Sequence, residues 1–128
     1  MASILRVNTL TDASSNNSTA MSTINQGTAK AWINFNGTGT IATRDSFNIS
    51  SIGDDATGIF TITINNDMAD TNYCTAANVS RGGLATGTFT GDSTWSVATG
   101  SGQIVCANNS NAYIDPPAVL ASILGDLA

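Results

Sequence analysis

The sequence predicts an all-β fold, an antiparallel β-sandwich or jelly-roll-like domain with an N-terminal extended arm and a short C-terminal helix. From residue 29 onward, short segments of alternating apolar and polar residues recur about every ten residues, separated by Gly, Asn, Asp and Ser. Glu is absent and Lys occurs once, so good helix formers are scarce, whereas strand-favouring Thr occurs 18 times. With 128 residues, the chain has room for one hydrophobic core.

Residues 1–28 are predicted to form the arm. Ile4 to Leu10 alternate apolar and polar residues, which predicts a short strand. Thr11 to Thr28 are rich in Ser, Asn and Thr, and their only large apolar residues are Met21 and Ile24. Because so long a stretch without regular structure is uncommon inside a domain, we interpret it as either a flexible linker or an arm that lies on another subunit.

Residues 29–115 are predicted to form the sandwich. The segment 29–35 directs Ile33 to one face and Trp32 to the other. Asn36-Gly37 tolerates the positive φ values of a type I′ turn, so residues 40–43 are expected to return beside this strand. The remaining predicted strands are bounded by turn residues and lie at 47–52, 59–65, 73–79, 84–90, 94–98 and 103–107.

Residues 116–128 are predicted to form a helix. Asp115 is a suitable N-cap, and Pro116 and Pro117 suit the first helical turn. The large apolar residues that follow would make one stripe on a helix, and we predict this stripe to be an oligomer interface because so short a helix is not stable alone. The stripe residues are Val119, Leu120, Ile123, Leu124 and Leu127.

The charge composition argues against several classes of function. The chain has no His, the side chain that most often serves as a general base or metal ligand near neutral pH. A net charge of −5 argues against nucleic acid binding, which needs clustered basic residues. Neither a membrane-spanning apolar run nor a secretory signal is visible. We expect no enzymatic activity, cofactor, metal, nucleic acid partner or membrane insertion, and free thiols at Cys74 and Cys106, with a disulfide as the alternative.

The two tryptophans are candidate contact residues. Trp32 lies on a strand expected to be covered on both faces, so we assign it to the core or to the oligomer interface. Trp95 follows a Gly-Asp-Ser turn and is the candidate for an exposed receptor contact, including a glycan on a host surface. Adjacent Asp54 and Asp55 are interpreted as turn residues rather than as an acid–base pair.

Three segments resemble a block found in small virion proteins and fibre-like proteins of tailed bacteriophages, notably marine ones. They are AKAWINFNGTGTIA at 29–42, RDSFNISSI at 44–52 and MADTNY at 68–73, and the opening SILRVNTLTD at 3–12 is also similar to the beginning of such proteins. The middle block covers about a third of the chain, and nothing from Val79 to Ala128 shares the resemblance. Cys74 directly after Tyr73 departs from the family's looser pattern.

The resemblance implies a non-enzymatic structural protein of the virion, made in the host bacterial cytoplasm, that forms a homotrimer and contacts other capsid or tail proteins. It implies no catalytic residues. A fibre or spike component on the particle surface is the expected function. A capsid decoration protein that cements the head is the alternative, and a carbohydrate-binding module for receptor recognition is a second alternative.

Overall fold

The computed structural model describes residues 4, 6–80, 97–108, 110 and 112–128. Trp95 and the predicted strand at 84–90 lie outside the described residues. The described elements are β1 (Thr9–Thr11), β2 (Ser18–Ala20), α1 (Met21–Gly27), β3 (Ala29–Asn36), β4 (Ala42–Phe47), β5 (Ile49–Ala56), β6 (Ile59–Ile64), β7 (Cys74–Ser80), β8 (Val97–Ala98), β9 (Ser101–Val105) and β10 (Ala118–Leu124).

The described residues form two four-stranded antiparallel sheets, which confirms the predicted all-β sandwich class. The first sheet has the strand order β4-β3-β10-β7, and the second has the order β5-β6-β9-β8. β1 and β2 pair with each other in a hairpin that is separate from both sheets. The predicted strands at 29–35, 59–65, 73–79 and 103–107 correspond to β3, β6, β7 and most of β9.

The core lies between the two sheets because each strand directs alternate side chains inward. Ile33 and Phe35 on β3, and Phe60 and Ile62 on β6, are all buried. The rings of Phe35 and Phe60 meet edge to face, with centroids 5.1 Å apart. This aromatic pair joins the first sheet to the second.

Asn48 turns the chain from the first sheet into the second. Its φ of 57° lies in the left-handed region, which Asn tolerates better than most residues other than Gly. Its Nδ2 donates to the backbone oxygens of Lys30 at 3.0 Å and of Asn66 at 3.1 Å, and its Oδ1 accepts from the Asn66 backbone N at 2.8 Å. β4 therefore ends at Phe47 and β5 begins after the corner, so the predicted strand at 47–52 is divided between the two sheets.

The hairpin predicted at Asn36-Gly37 is present, but its loop spans residues 37–41 rather than two residues. The Gly37 backbone N donates to the Pro116 carbonyl oxygen at 3.0 Å. A Cβ at Gly37 would lie 2.9 Å from Cζ of Phe60. Glycine is needed here because the loop approaches the core and the segment before β10 closely, not because of a type I′ turn.

The predicted C-terminal helix is wrong, because residues 118–124 form β10 in the middle of the first sheet. β10 pairs antiparallel with β3 on one side and with β7 on the other. Val119 and Ile123 are buried in the core, whereas Leu120 is 43% exposed on the outer face. The edges of β3 and β7 supply backbone hydrogen-bond partners along the whole length of this segment. This pairing stabilises the strand more than the helical spacing of the apolar residues stabilises a helix, and some of those residues are β-branched and favour strands.

The N-terminal arm contains regular structure, so the expectation of a structureless stretch at 11–28 is also wrong. β1 is shorter than the predicted strand at 4–10, and its hairpin turn is held by Asp12. The Asp12 carboxylate accepts hydrogen bonds from the Asn17 side chain at 2.7 Å and from the Asn16 backbone N at 3.0 Å. The Asn17 bond is the largest of several that lower the pKa of Asp12.

The alternation along β10 predicts unequal costs for truncating neighbouring residues. Ile123→Ala should lower the free energy of unfolding by about 2–5 kcal/mol, because it opens a cavity in the core. Leu120→Ala, which removes an outward side chain, should cost under about 1 kcal/mol. Urea unfolding followed by circular dichroism, under conditions where the chain is monomeric, measures both. Equal losses would contradict the strand, since Leu120 and Ile123 would share one face of a helix.

Candidate functional site

The outer face of the first sheet carries exposed apolar side chains. Antiparallel partners share a face, and the register places Phe47, Trp32, Ser122 and Ala76 in one row across the four strands. Leu120 lies in the next row. Phe47 is 55% exposed and Trp32 is 36% exposed. We refer to Trp32, Phe47, Leu120 and Ala76 as the apolar face.

A groove of about 330 Å³ runs beside Trp32 across the middle of the apolar face. Ser122 and Ala76 are small compared with Trp32 and Leu120, so the surface of the sheet drops between these larger side chains. Polar groups reach the groove from the side chains of Asn34, Asn78 and Ser122. The groove therefore combines an indole surface with uncharged hydrogen-bonding groups.

The outer face of the second sheet is polar by contrast. Thr61 and Gln103 face each other there across β6 and β9. The Asp55 carboxylate accepts from Thr61 Oγ1 at 2.5 Å and from Gln103 Nε2 at 3.1 Å. The sandwich thus presents one hydrogen-bonded polar face and one apolar face, and large exposed apolar patches on small domains commonly mark interaction sites.

The structure separates the five residues that the helical spacing placed in one interface stripe. Val119 and Ile123 belong to the core, and Leu120 belongs to the apolar face. Leu124 is half-buried, and Leu127 lies beyond β10 in an isolated bridge with Met68. The helical stripe is therefore wrong as a continuous surface, because a strand sends neighbouring residues to opposite sides.

Trp32 lies with Leu120 on the apolar face, so two residues that were assigned separately to an oligomer interface share one surface. In the part of the chain that the structure describes, Trp32 is 36% exposed and lies outside the core, so the core alternative for Trp32 is wrong, whereas its place in an oligomer interface stays a prediction. Phe47 was missed as a site residue. Its alternation with Asp45 was visible in the sequence, but the strand register that sets it opposite Trp32 was not.

Cys74 and Cys106 are both free thiols. Cys74 is exposed on β7, whereas Cys106 is buried beside the second sheet. Burial, with a smaller contribution from the Asp115 carboxylate, raises the pKa of the Cys106 thiol to about 12. Only Cys74 is therefore placed to react readily with reagents in solution.

Acidic side chains do not converge on a site in the part of the chain that the structure describes. Asp55, next to Asp54 at the end of β5, is already hydrogen-bonded to Thr61 and Gln103. Across the described residues, no three His, Cys, Asp or Glu side chains lie close enough to share a metal ion. The same residues include no helix with the length and apolar character needed to cross a membrane.

Comparisons with protein-family models, with curated proteins and with solved structures return no match for this chain. The role of the apolar face is therefore inferred from its own residues.

The two thiols are predicted to differ in reactivity. With Ellman's reagent at about pH 8, Cys74 of the native protein should react quickly and release one equivalent of thionitrobenzoate. Cys106 should react, and release the second equivalent, only on unfolding. Cys74→Ser should abolish the fast phase, and Cys106→Ala should leave it intact. Two fast equivalents would contradict the burial of Cys106.

The raised pKa of Cys106 also predicts a pH dependence of stability. The folded chain favours the protonated Cys106 thiol, whereas the unfolded chain allows it to ionise at its ordinary pKa. The stability that the buried thiol contributes should therefore be fully present below about pH 8.5 and should be lost as the pH rises towards 12. The free energy of unfolding should fall more steeply over this range in the native protein than in Cys106→Ala. Identical slopes in the two proteins would contradict the assignment.

Proposed function

We propose that the protein is a non-enzymatic structural subunit of a tailed-bacteriophage particle, a homotrimeric component of a surface fibre or spike. The observation that carries the proposal is the apolar face, which leaves Trp32, Phe47 and Leu120 exposed on a single chain. Burying such side chains against another subunit removes apolar area from water, at roughly 25 cal/mol for each Å².

The chemistry of this face suits a protein interface. Trp and Phe are enriched at interfaces, and charged residues are depleted from interface centres. The groove beside Trp32 is lined by apolar groups, amides and a hydroxyl. The charged groups beside it belong to the edge strand β4, where Arg44 Nη1 donates to Oδ1 of the groove-lining Asn34 at 3.3 Å and Asp45 is paired with Asn34 in the register. Assembly is favoured over catalysis because the groove lining supplies no titratable side chain.

The resemblance to phage virion proteins bears on the same surface. Its segments at 29–42 and 44–52 supply β3 and most of β4, and with them Trp32 and Phe47. The family resemblance and the exposed face thus involve the same strands. The homotrimer and the position on a fibre or spike come from the resemblance.

Carbohydrate binding is a second candidate function, favoured by the groove itself. An indole face can stack on a sugar ring, and Asn78 and Ser122 lie beside Trp32 with polar groups able to bond sugar hydroxyls. In this case the apolar face would meet a host glycan rather than another subunit. Capsid decoration is a third candidate, in which the subunit would attach to the head.

Analytical ultracentrifugation at micromolar concentration tests the assembly proposal. The native protein is expected near three times its 13.1 kDa mass, about 39 kDa. Leu120→Asp should weaken association about tenfold or more, because it places a charge in the interface. Ser51→Asp is the matched control, since Ser51 is exposed on β5 of the second sheet. Circular dichroism confirms that both variants remain folded.

A native mass of 13.1 kDa would contradict the assembly proposal, and glycan binding that depends on Trp32 would then support the carbohydrate-binding function. Immunogold labelling of intact particles decides the location. Label at the tail is expected for a fibre or spike component, whereas label on the head would replace this assignment with capsid decoration.

A further inference from the structure

The sequence contains a single Asn-Gly pair, Asn36-Gly37, at the point where β3 ends and the loop to β4 begins. Asn-Gly is the pair most prone to spontaneous deamidation, because glycine has no side chain to hinder the approach of its backbone nitrogen. In this reaction the deprotonated Gly37 N attacks Cγ of Asn36, and ammonia leaves. Water then opens the resulting succinimide ring to aspartate or, more often, to isoaspartate. The reaction needs no reagent other than water.

The attacking nitrogen is occupied in the folded chain. The Gly37 N–H donates to the Pro116 carbonyl oxygen at 3.0 Å, and Gly37 is buried. Asn36 is also held, since it pairs with Ala42 in the sheet and its Nδ2 donates to the Thr38 carbonyl oxygen at 2.7 Å. Ring closure has to turn the peptide between residues 36 and 37 towards the Asn36 side chain. This rotation breaks the hydrogen bond to Pro116.

The segment before β10 is held by the β3–β4 hairpin through three successive carbonyl oxygens. We refer to this segment, residues 115–117, as the strap. The oxygens of Asp115, Pro116 and Pro117 accept from Thr38 Oγ1 at 3.0 Å, Gly37 N at 3.0 Å and Arg44 Nη2 at 2.6 Å, respectively. The Pro116 side chain is fully buried. Because the strap leads directly into β10, releasing Gly37 N requires this strand to loosen at its start.

We propose that Asn36 is a latent deamidation site that the strap keeps closed. Asn36 is modified only when the strap lifts from the hairpin and frees the Gly37 N–H. The rate of modification therefore reports how often the segment before β10 opens. This inference concerns the hairpin and the strap alone, so it does not depend on the proposed function.

Modification would also prevent the strap from closing again. A Cβ at Gly37 would lie 2.9 Å from Cζ of Phe60 and 3.0 Å from the Pro116 carbonyl oxygen, so the loop has no space for added atoms. Isoaspartate lengthens the main chain by a carbon atom and adds a carboxylate next to this contact. The longer chain cannot place Gly37 N opposite Pro116 without displacing Phe60 from the core. Opening followed by deamidation is therefore irreversible.

Peptide mass spectrometry of the full chain after incubation at mildly alkaline pH tests the proposal. The folded native protein should deamidate at Asn36 about tenfold or more slowly than the same chain unfolded in guanidinium chloride, because reaction requires local opening. Arg44→Ala removes a charged hydrogen bond to the strap and should accelerate deamidation of the folded protein about tenfold. Arg6→Ala, on the exposed N-terminal arm, is the matched control and should react at the native rate.

A second variant keeps the test decisive if Arg44→Ala does not fold, which circular dichroism reveals. Thr38→Val preserves the shape of an exposed side chain but removes its hydrogen bond to Asp115, and it should accelerate deamidation about threefold. Thr40→Val, at another exposed position of the same loop, is its control and should leave the rate unchanged.

Two results would overturn the proposal. Equal rates of deamidation at Asn36 in the folded and unfolded native protein would show that the fold gives no protection. Native rates in the folded Arg44→Ala and Thr38→Val variants, alongside slow reaction of the native protein, would show that the strap is not what protects Asn36.

Discussion

The fold depends on the pairing of β10 with two neighbours at once. β3 and β7 are not hydrogen-bonded to each other, so the first sheet exists as a continuous layer because β10 lies between them. The same strand contributes Val119 and Ile123 to the core. The segment before it is anchored by backbone contacts, including Gly37 N to the Pro116 carbonyl oxygen, which set its register. Without β10, the first sheet would split into two parts.

This strand also determines the surface that we assign to assembly. Because β10 alternates, burying Val119 and Ile123 forces Leu120 outward, next to the row that contains Trp32 and Phe47. Ser122, also outward, is small and leaves room for the groove. Among the described residues, the outer face of the second sheet is polar instead, since Thr61 and Gln103 are hydrogen-bonded to Asp55. The alternation of buried and exposed residues along β10 thus makes the outer face of the first sheet apolar, in contrast to the outer face of the second sheet.

The sequence was sufficient for elements with an unambiguous period, and insufficient where a tertiary partner decided the outcome. β3 and β6 alternate strictly, so both were predicted as strands, and Ile33 and Trp32 were correctly assigned to opposite faces of β3. The apolar spacing at 119–127 fits a helix when the segment is considered alone. The segment forms a strand because β3 and β7 provide hydrogen-bonding edges on both of its sides. The register between two strands is not determined by the sequence of either strand alone, so the position of Phe47 opposite Trp32 could not be predicted. The same holds for the corner at Asn48, which depends on its bonds to distant Lys30 and Asn66.

The central claim is that the apolar face is covered when the chains assemble. Iodide quenching of Trp32 fluorescence in a Trp95→Phe background, measured across a dilution series, tests it most directly. If assembly covers the apolar face, quenching is strong in the dilute monomer, where Trp32 is 36% exposed, and Trp32 is protected at concentrations at which the measured mass is oligomeric. Quenching that stays equally strong in the oligomer would contradict this claim, because another surface would then hold the subunits together.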